Sequence, residues 1–223
     1  PAHKNPVLNS VNSLMACSKI QESSRYVNVD VTGPGSCIAL MLMYLQTHNE
    51  IVAKQLAIPQ TRYLLDYVRP DMVLLRIVGS NLIMWNQIQN SHEWIMSQIP
   101  SVVLNSSLIE DEQLRILYAH MIAGCCFTLG LRYAGSNDAT TIEVINKFLK
   151  EFEQSRLRYQ TDTCMIPIQL DKTTAEYCVL VCLLALSCVV AGTGDVEQIT
   201  IGSGLQLVGG ELSATGGGGG GST

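Results

Sequence analysis

Apolar positions are concentrated in long runs, each followed by a short stretch of small and polar residues. Two such runs, 119–131 and 178–190, end in closely similar segments: AGSND at 134–138 and AGTGD at 191–195. An apolar helix, a small-residue turn, an acidic residue and a second helix therefore recur as a unit. This repetition predicts a stacked helical array, in which each unit buries its apolar face against its neighbours. Arrays of this kind usually bind partners and seldom carry chemistry.

A weaker copy lies upstream, where an apolar run at 37–45 precedes the segment THNE at 47–50. We align Asn49 of this copy with Asn137 of the next one. The spacing between copies exceeds the roughly 35 to 45 residues of a compact helical repeat, so we expect insertions between them. The larger insertion is the set of extra helices at 61–99.

Proline and the period of the apolar residues predict the other helices. Pro59 ends one helix because its ring clashes with a continuing helix, and Pro70 suits the first turn of the next because its missing N–H costs nothing there. The helices predicted in addition to the two apolar runs at 119–131 and 178–190 lie at 11–17, 36–45, 50–58, 62–68, 71–88, 91–98 and 140–159.

Two stretches suggest extended structure. In residues 25–31 Val27, Val29 and Val31 alternate with polar residues, which predicts a strand-like segment that ends at the TGPG of 32–35. Residues 199–210 are predicted to form a small hairpin or strand pair.

The predicted fold is all-α, built of helical hairpins, with an inserted helical segment and the small strand-like stretch near the N-terminus. We divide the chain into a segment at 1–24, a repeat array at 25–199 with inserted helices at 61–99, and a glycine-rich tail at 200–223. The tail has the composition of a flexible linker or an altered terminus, and we leave it out of functional reasoning.

Composition points to a protein that meets other proteins. Charged residues make up only 15% of the chain, which is low for a free-standing domain, so part of the surface is expected to be covered. The net charge of -5 and the lack of a basic stripe argue against nucleic-acid binding. Most of the eight cysteines lie in apolar runs. With no recognisable secretory leader, this predicts a reducing, intracellular compartment.

Residues 177–194 contain no charge and are long enough to cross a bilayer, so a membrane-associated helical protein is an alternative of another class. No basic residue pattern orients such a span, because Asp171, Lys172, Glu176 and Asp195 surround it. A buried inner helix of an array has the same pattern, and we favour that interpretation.

Candidate chemistry is sparse. His120, Cys125 and Cys126 are residue types that bind metal, but adjacent cysteines on one helix point to different faces and do not converge, so buried thiols are the better interpretation. There is no nucleophile elbow, zinc-protease helix, phosphate loop or dinucleotide motif. We therefore predict no catalytic, cofactor-binding or metal-binding residues and no cofactor, and we expect no enzyme activity. Trp85 and Trp94 either pack the inserted helices onto the array or belong to a partner surface.

The turns at 134–137 and 191–195 resemble the signature turn of proteasome/cyclosome (PC) repeats. More specifically, residues 27–35, 43–45, 63–70 and 119–135 resemble the family of anaphase-promoting complex subunit 1. The resemblance covers about residues 25–197. Only about three repeats are present, and the last lacks its second helix, so this chain by itself would leave a repeat face exposed.

The resemblance implies a non-catalytic scaffold segment of the anaphase-promoting complex, an E3 ubiquitin ligase of mitosis and cell division. It implies that this segment helps to position other subunits and the coactivator for ubiquitination of cell-cycle proteins, in the nucleus and cytoplasm. No nucleic acid, membrane or small-molecule substrate is expected. The alternative within the same fold is a PC-repeat scaffold subunit of the proteasome regulatory particle. The segment 63–70 favours the first.

Overall fold

A computed structural model describes residues 29–105, 111–158 and 170–191 and three short strands beyond them. Most of the described residues are helical, which confirms the predicted all-α class. The helices are α1 Val29–Met43, α2 Glu50–Gln55, α3 Arg62–Leu65, α4 Pro70–Ile83, α5 His92–Ser97, α6 Ser101–Leu104, α7 Glu112–Arg132, α8 Ala139–Arg158 and α9 Lys172–Val190, with a 3-10 turn at Trp85–Gln87. The strands are β1 Ile199–Ile201, β2 Leu205–Val208 and β3 Glu211–Ala214.

The four apolar helices α1, α4, α7 and α9 pack in sequence order as an inner layer: α1 on α4, α4 on α7 and α7 on α9. The outer layer consists of α2, α5 and α8. Helix α2 packs on α4, α5 packs on α7, and α8 packs mainly on α9. α7 is the centre of the core because helices cover it on both sides, and thirteen of its residues are buried. Helix α4 is thus an inner helix of the array, although its segment was predicted as an insertion.

Two glycines allow the inner helices to approach closely, as expected of glycines inside a buried helix. A Cβ on Gly130 would lie 2.6 Å from the Cα atom of Ala185 on α9. A Cβ on Gly124 would lie 3.1 Å from the carbonyl oxygen of Leu74 on α4. The spacing of α7 from both neighbours therefore depends on the missing side chains.

The turn between α1 and α2 has a specific backbone form. Gln46 and His48 both adopt left-handed conformations, with φ of 59° and 55°. Their backbone N–H groups donate to the last carbonyls of α4, from Gln46 to Leu82 and from His48 to Ile83, at 3.0 Å each. The turn of one hairpin thus satisfies the free carbonyl groups at the end of the next inner helix.

The turn between α7 and α8 repeats this arrangement. Gly135 and Asn137 are left-handed, with φ of 69° and 51°. Their N–H groups donate to Cys188 at 2.9 Å and to Val189 at 3.0 Å, at the end of α9. The two hairpins are therefore structurally equivalent.

The equivalence shifts the sequence alignment of the two hairpins by one residue. His48 corresponds to Asn137, and Asn49 corresponds to Asp138, the residue that precedes α8. The alignment of Asn49 with Asn137 was therefore wrong. It paired two residues of the same type, whereas the left-handed backbone conformation pairs His48 with Asn137.

The prediction of a strand-like segment at 25–31 is wrong for residues 29–31, which are helical. α1 is helical from Val29 and continues through Pro34, so the TGPG segment does not end an element. Burial of Cys37 and Leu40 in the contact with α4 favours a helix here, and three alternating valines are too short a signal to oppose it. Residues 25–28, the helix predicted at 11–17 and the segment 1–24 lie outside the described residues.

Other predicted elements differ mainly in their ends. α4 begins at Pro70 as expected but ends at Ile83, where a 3-10 turn replaces the rest of the predicted helix. The strand pair predicted at 199–210 is confirmed, since β1 pairs antiparallel with β2, Ile199 opposite Leu207. A third strand follows, with Val208 opposite Glu211, so regular structure extends into the segment assigned as a linker.

By length and composition, α7 and α9 are both apolar enough to cross a membrane. Packing buries 72% of the apolar window of α7 and 50% of that of α9. The core helix of a water-soluble protein passes the same test, so this property by itself carries little weight. The unburied half of α9 is the notable feature.

Candidate partner-binding surface

An apolar stripe on α9 faces away from the other described helices. Leu180 and Leu184 are 64% and 52% exposed, and Tyr177 continues the stripe one turn earlier. The spacing of three and four residues places the three side chains on one face of the helix. Tyr177 stacks on the imidazole of His120 with ring centroids 5.2 Å apart. The stripe therefore adjoins the α7–α9 contact.

A second apolar stripe lies on α1 and the turn after it, at the other end of the inner layer. Ile38, Leu42 and Leu45 are exposed at the same helical spacing, with Met43 beside them. The opposite face of α1 buries Leu40 in the contact with α4. Among the described residues, α1 and α9 each pack on one inner neighbour, whereas α4 and α7 between them each pack on two.

A third exposed group lies on the one-turn helix α3 and the turn after it, where Tyr63 and Tyr67 are 69% and 73% exposed. Their rings meet edge to face, with centroids 5.1 Å apart. Arg62 anchors the turn through ion pairs with Asp66 and with Asp111, which precedes α7. The aromatic pair therefore stands on a fixed base at the surface.

The described structure does not bring His120, Cys125 and Cys126 together as a group of metal ligands. The Nδ1 of His120 donates to the Ile116 carbonyl at 2.8 Å, because a carbonyl can only accept. Burial lowers the pKa of His120, which favours the neutral ring. Among the described residues no group of three or more potential ligands could hold a metal ion.

The buried thiols are part of the core. Burial raises the pKa of Cys125, and a hydrogen bond with Cys126 together with burial raises the pKa of Cys182. These thiols therefore stay protonated at neutral pH and are poor nucleophiles. All three thiols lie in the main core, and the contact between Cys126 and Cys182 joins α7 to α9.

The two tryptophans connect the inserted segment to the array. Trp94 is buried in the main core, in agreement with its predicted packing role. Trp85 is half-buried, and the guanidinium of Arg132 lies 5.0 Å from its ring. Arg132 also lies 5.6 Å from the ring of Tyr133, so a cation between two aromatic faces holds the turn after α4 against the end of α7.

Asp138 caps α8 and ties it to the segment between α4 and α5. Its Oδ2 accepts from the backbone N–H of Thr141 at 2.8 Å and from the side chain of Asn90 at 2.9 Å. The hydrogen bond from the Thr141 hydroxyl, followed by those from Asn90 and the Thr141 backbone, lowers the pKa of Asp138. The carboxylate is therefore stabilised in its charged form.

We predict that Asp138→Ala lowers the free energy of unfolding by about 1 kcal/mol at neutral pH, the usual value of an N-cap. Because the folded-state pKa is lowered, this contribution is present above the ordinary carboxyl pKa and is lost as the pH falls through the folded value. Urea unfolding of both proteins from pH 7 to pH 3 measures the difference.

The control for the Asp138 experiment is Asp138→Asn, since asparagine caps the equivalent helix α2 through Asn49, whose side chain accepts from the backbone of Ile51 and Val52. It should stay close to the wild type at neutral pH. If the free energies of unfolding of wild type and Asp138→Ala differ by the same amount from pH 7 down to pH 3, the result would contradict the role of the carboxylate.

The fold and its surfaces define a class: a layered helical array with apolar faces at both ends and, among the described residues, no metal centre. The model of the APC1 fifth domain matches residues 3–206. The chain belongs to the family of anaphase-promoting complex subunit 1. This membership confirms the resemblance found in the sequence and favours it over the proteasome alternative.

Relatives come from distant organisms. Anaphase-promoting complex subunit 1 of Arabidopsis thaliana is 39% identical over 186 residues, covering 76% of this chain and 11% of the relative. The subunit 1 of Homo sapiens is 34% identical over 200 residues, covering 84% and 10%. A protein of Emericella nidulans named "Negative regulator of mitosis" is 35% identical over 173 residues, covering 75% and 8%. The chain thus spans about a tenth of the length of these curated relatives.

The sequence did not identify the exposed faces. α9 is apolar all round, so its pattern cannot tell the buried face from the stripe. The signal that was present is the low fraction of charged residues, which predicted a covered surface without locating it.

Proposed function

We propose that this chain is a scaffold segment of the anaphase-promoting complex, which positions other subunits and the coactivator for ubiquitination of cell-cycle proteins and does no chemistry itself. The observation that carries the proposal is the pair of apolar stripes on α1 and α9. A helix that exposes two leucines of one face, as α9 does with Leu180 and Leu184, is suited to burial against protein.

We propose that further PC-type repeats of the same protein pack against the two stripes. In the described part, the turn after α7 donates its N–H groups to the end of α9. The segment AGTGD at 191–195 has nearly the same sequence as this turn, and we propose that a further inner helix packs on Leu180 and Leu184. The short length of the chain relative to its relatives leaves ample sequence for such repeats.

The functional assignment rests on family membership and on the kinds of surface present. The thiols of Cys125 and Cys182 are buried and protonated, which makes them poor nucleophiles, and the carboxylate of Asp138, whose pKa is lowered, caps a helix. We place the protein inside the cell, in the nucleus and cytoplasm, with the complex.

Cysteine labelling tests the proposal. Leu180→Cys in the isolated chain should react with a maleimide as fast as Lys172→Cys, which is an exposed position at the start of the same helix. In the full-length protein assembled into the complex, Leu180→Cys should be strongly protected and Lys172→Cys should not. Peptide mass spectrometry separates these sites from the native cysteines. Equal labelling of Leu180→Cys in both states would refute the proposal.

A further inference from the structure

Arg132, the last residue of α7, carries a positive charge that no carboxylate neutralises within the described part of the chain. By contrast, Arg62 and Arg69 both form ion pairs with aspartates. The Nε atom of Arg132 is buried and has no hydrogen-bond acceptor among the same residues. A charged group that has lost part of its hydration without gaining a counter-charge costs free energy. A carboxylate bound to this guanidinium would offset that cost.

Two aromatic rings hold the guanidinium of Arg132 in place. Its central carbon lies 5.0 Å from the centroid of the Trp85 ring and 5.6 Å from that of Tyr133. Contacts with ring faces leave the in-plane N–H groups of a guanidinium free to bind a second partner. Arg132 is partly exposed, and Nε is the one guanidinium nitrogen that is both buried and unpaired, so its Nη groups reach the surface. Arginine, tryptophan and tyrosine are the residue types enriched among those that dominate binding at interfaces.

The geometry of the repeat does not account for an arginine at this position. In the turns after α1 and α7, a hydroxyl donates to the backbone carbonyl of a tyrosine, Tyr44 or Tyr133, at 2.7 Å. The residue before the tyrosine is Met43 in the first hairpin and Arg132 in the second. Since methionine serves at the end of the equivalent inner helix, the packing of the hairpin does not require a charge here.

The surroundings of Arg132 select a carboxylate as its partner. Arg132 is the only lysine or arginine between Arg115 and Lys147, and residues 77–114, which supply Trp85, contain none. A single guanidinium matches a single carboxylate, to which it can donate two parallel hydrogen bonds. A phosphate group carries up to two charges and is better matched by a cluster of basic residues. The nearest acidic residue along the sequence, Asp138, caps α8 instead.

The location of Arg132 indicates that the carboxylate belongs to another polypeptide. Further repeats of the same protein are proposed to pack sideways on α1 and α9. A helix packed on α9 would have its axis about 16 to 20 Å from that of α7, two helix spacings away, which an arginine side chain does not span. Arg132 lies at the edge of the layer where the inner helices end, and Asn86 and Ala134 beside it are exposed. Extension of the layer therefore leaves this edge uncovered.

We infer that Arg132, held between Trp85 and Tyr133, binds the carboxylate of an aspartate or glutamate in another subunit of the complex. The inference rests on the proposed function in one respect, that the chain acts inside the complex. It does not depend on what covers the stripes on α1 and α9.

Carbodiimide coupling in the assembled complex tests the inference. The reagent joins a lysine amine to a carboxylate in direct contact, with loss of water, and an amide bond forms. The amine introduced by Arg132→Lys in the full-length subunit should couple to one aspartate or glutamate of another polypeptide, identified by peptide mass spectrometry. Ala134→Lys, at an exposed position of the same turn, is the control for accidental proximity. It should give roughly tenfold less product, the ratio that an ion pair of about 1.4 kcal/mol maintains.

Exchange of the two charges establishes that the contact is an ion pair. Arg132→Glu should give no product with the coupled segment, because two carboxylates do not couple and repel each other. A second change, of the coupled acidic residue to lysine, should restore the product with the amine and the carboxylate exchanged.

A photo-cross-link keeps the inference testable if Arg132→Lys does not assemble. The photoreactive residue p-benzoylphenylalanine replaces Asn86, an exposed residue next to Trp85, and leaves Arg132 intact. It should link to a segment of another polypeptide that contains aspartate or glutamate. Arg132→Met, which introduces the residue type of the equivalent position in the first hairpin, should lower the yield of this product roughly tenfold.

Several results would overturn the inference. They are coupling only within the same polypeptide, coupling of Arg132→Lys no better than that of Ala134→Lys, a charge exchange that restores nothing, or a photo-cross-link whose yield withstands Arg132→Met. Failure of the proposed function gives a different result, because Leu180→Cys would then remain reactive in the assembled complex.

Discussion

Gly130→Ala is expected to lower the free energy of unfolding by about 2 kcal/mol, although alanine is the better helix former. The new Cβ would lie 2.6 Å from the Cα atom of Ala185 and 2.8 Å from its carbonyl oxygen. These are backbone atoms, so a side-chain rotation cannot relieve the clash, and α7 and α9 must move apart. The cost of overpacking, about 3 kcal/mol, then exceeds the gain of about 1 kcal/mol from the higher helix propensity of alanine. Urea unfolding measures the difference.

Gly35→Ala is the matched control for Gly130→Ala. It makes the same chemical change within a helix, α1, but a Cβ at Gly35 would meet nothing within 4 Å. This variant should be as stable as the wild type or more stable by up to about 1 kcal/mol. Adding Ala185→Gly to Gly130→Ala should restore only part of the loss, because it removes the Cβ of Ala185 and leaves the closer Cα. Destabilisation of equal size in Gly35→Ala would contradict the packing argument.

Phe148→Ala is expected to cost about 3 to 5 kcal/mol, the largest effect that we predict. Phe148 on α8 is 2% exposed, and its ring stacks on His92 of α5 at a centroid distance of 5.4 Å. Truncation leaves a cavity under α8 and removes the aromatic contact that joins α8 to α5. Because packing and not helix propensity holds α8 in place, thermal unfolding should begin at a clearly lower temperature.

The controls for Phe148→Ala separate packing from helix propensity. Lys150→Ala lies on the exposed face of the same helix and should change stability by less than about 0.5 kcal/mol. Phe148→Leu keeps most of the buried volume and should fall between the two. An effect of Phe148→Ala no larger than that of Lys150→Ala would show that α8 does not depend on this contact.

Long apolar segments were the part of the fold that could be predicted from the sequence. Helix α8 lies within one residue of its predicted bounds at each end, and α7 and α9 contain the predicted apolar runs but begin earlier, at Glu112 and Lys172. Each prediction rested on a long helical period with a clear end, such as the AGSND turn after α7. The close-packing role of Gly124 and Gly130 was also predictable, since glycine inside a buried helix costs stability unless another chain needs the space.

Predictions failed where local patterns were short or where burial overrode them. The alternating valines before Thr32 suggested a strand, but α1 begins at Val29 because its face packs on α4. Helix α4 ends at Ile83, where its last two carbonyls receive the N–H groups of the first turn. That interaction comes from residues about 35 positions earlier, so no local pattern in α4 contains it.

The sequence by itself determined the class of protein: repeated apolar helices and small-residue turns specify a stacked array, and the motifs at 27–35 and 63–70 specify its family. Only the tertiary structure decided which apolar faces are buried and which are left open. α9 is the more apolar of these two helices, yet among the described residues α7 is covered by two inner helices and α9 by one. A periodic pattern records how apolar each face of a helix is, whereas the number of neighbours depends on contacts between distant segments. The exposed stripes therefore come from packing.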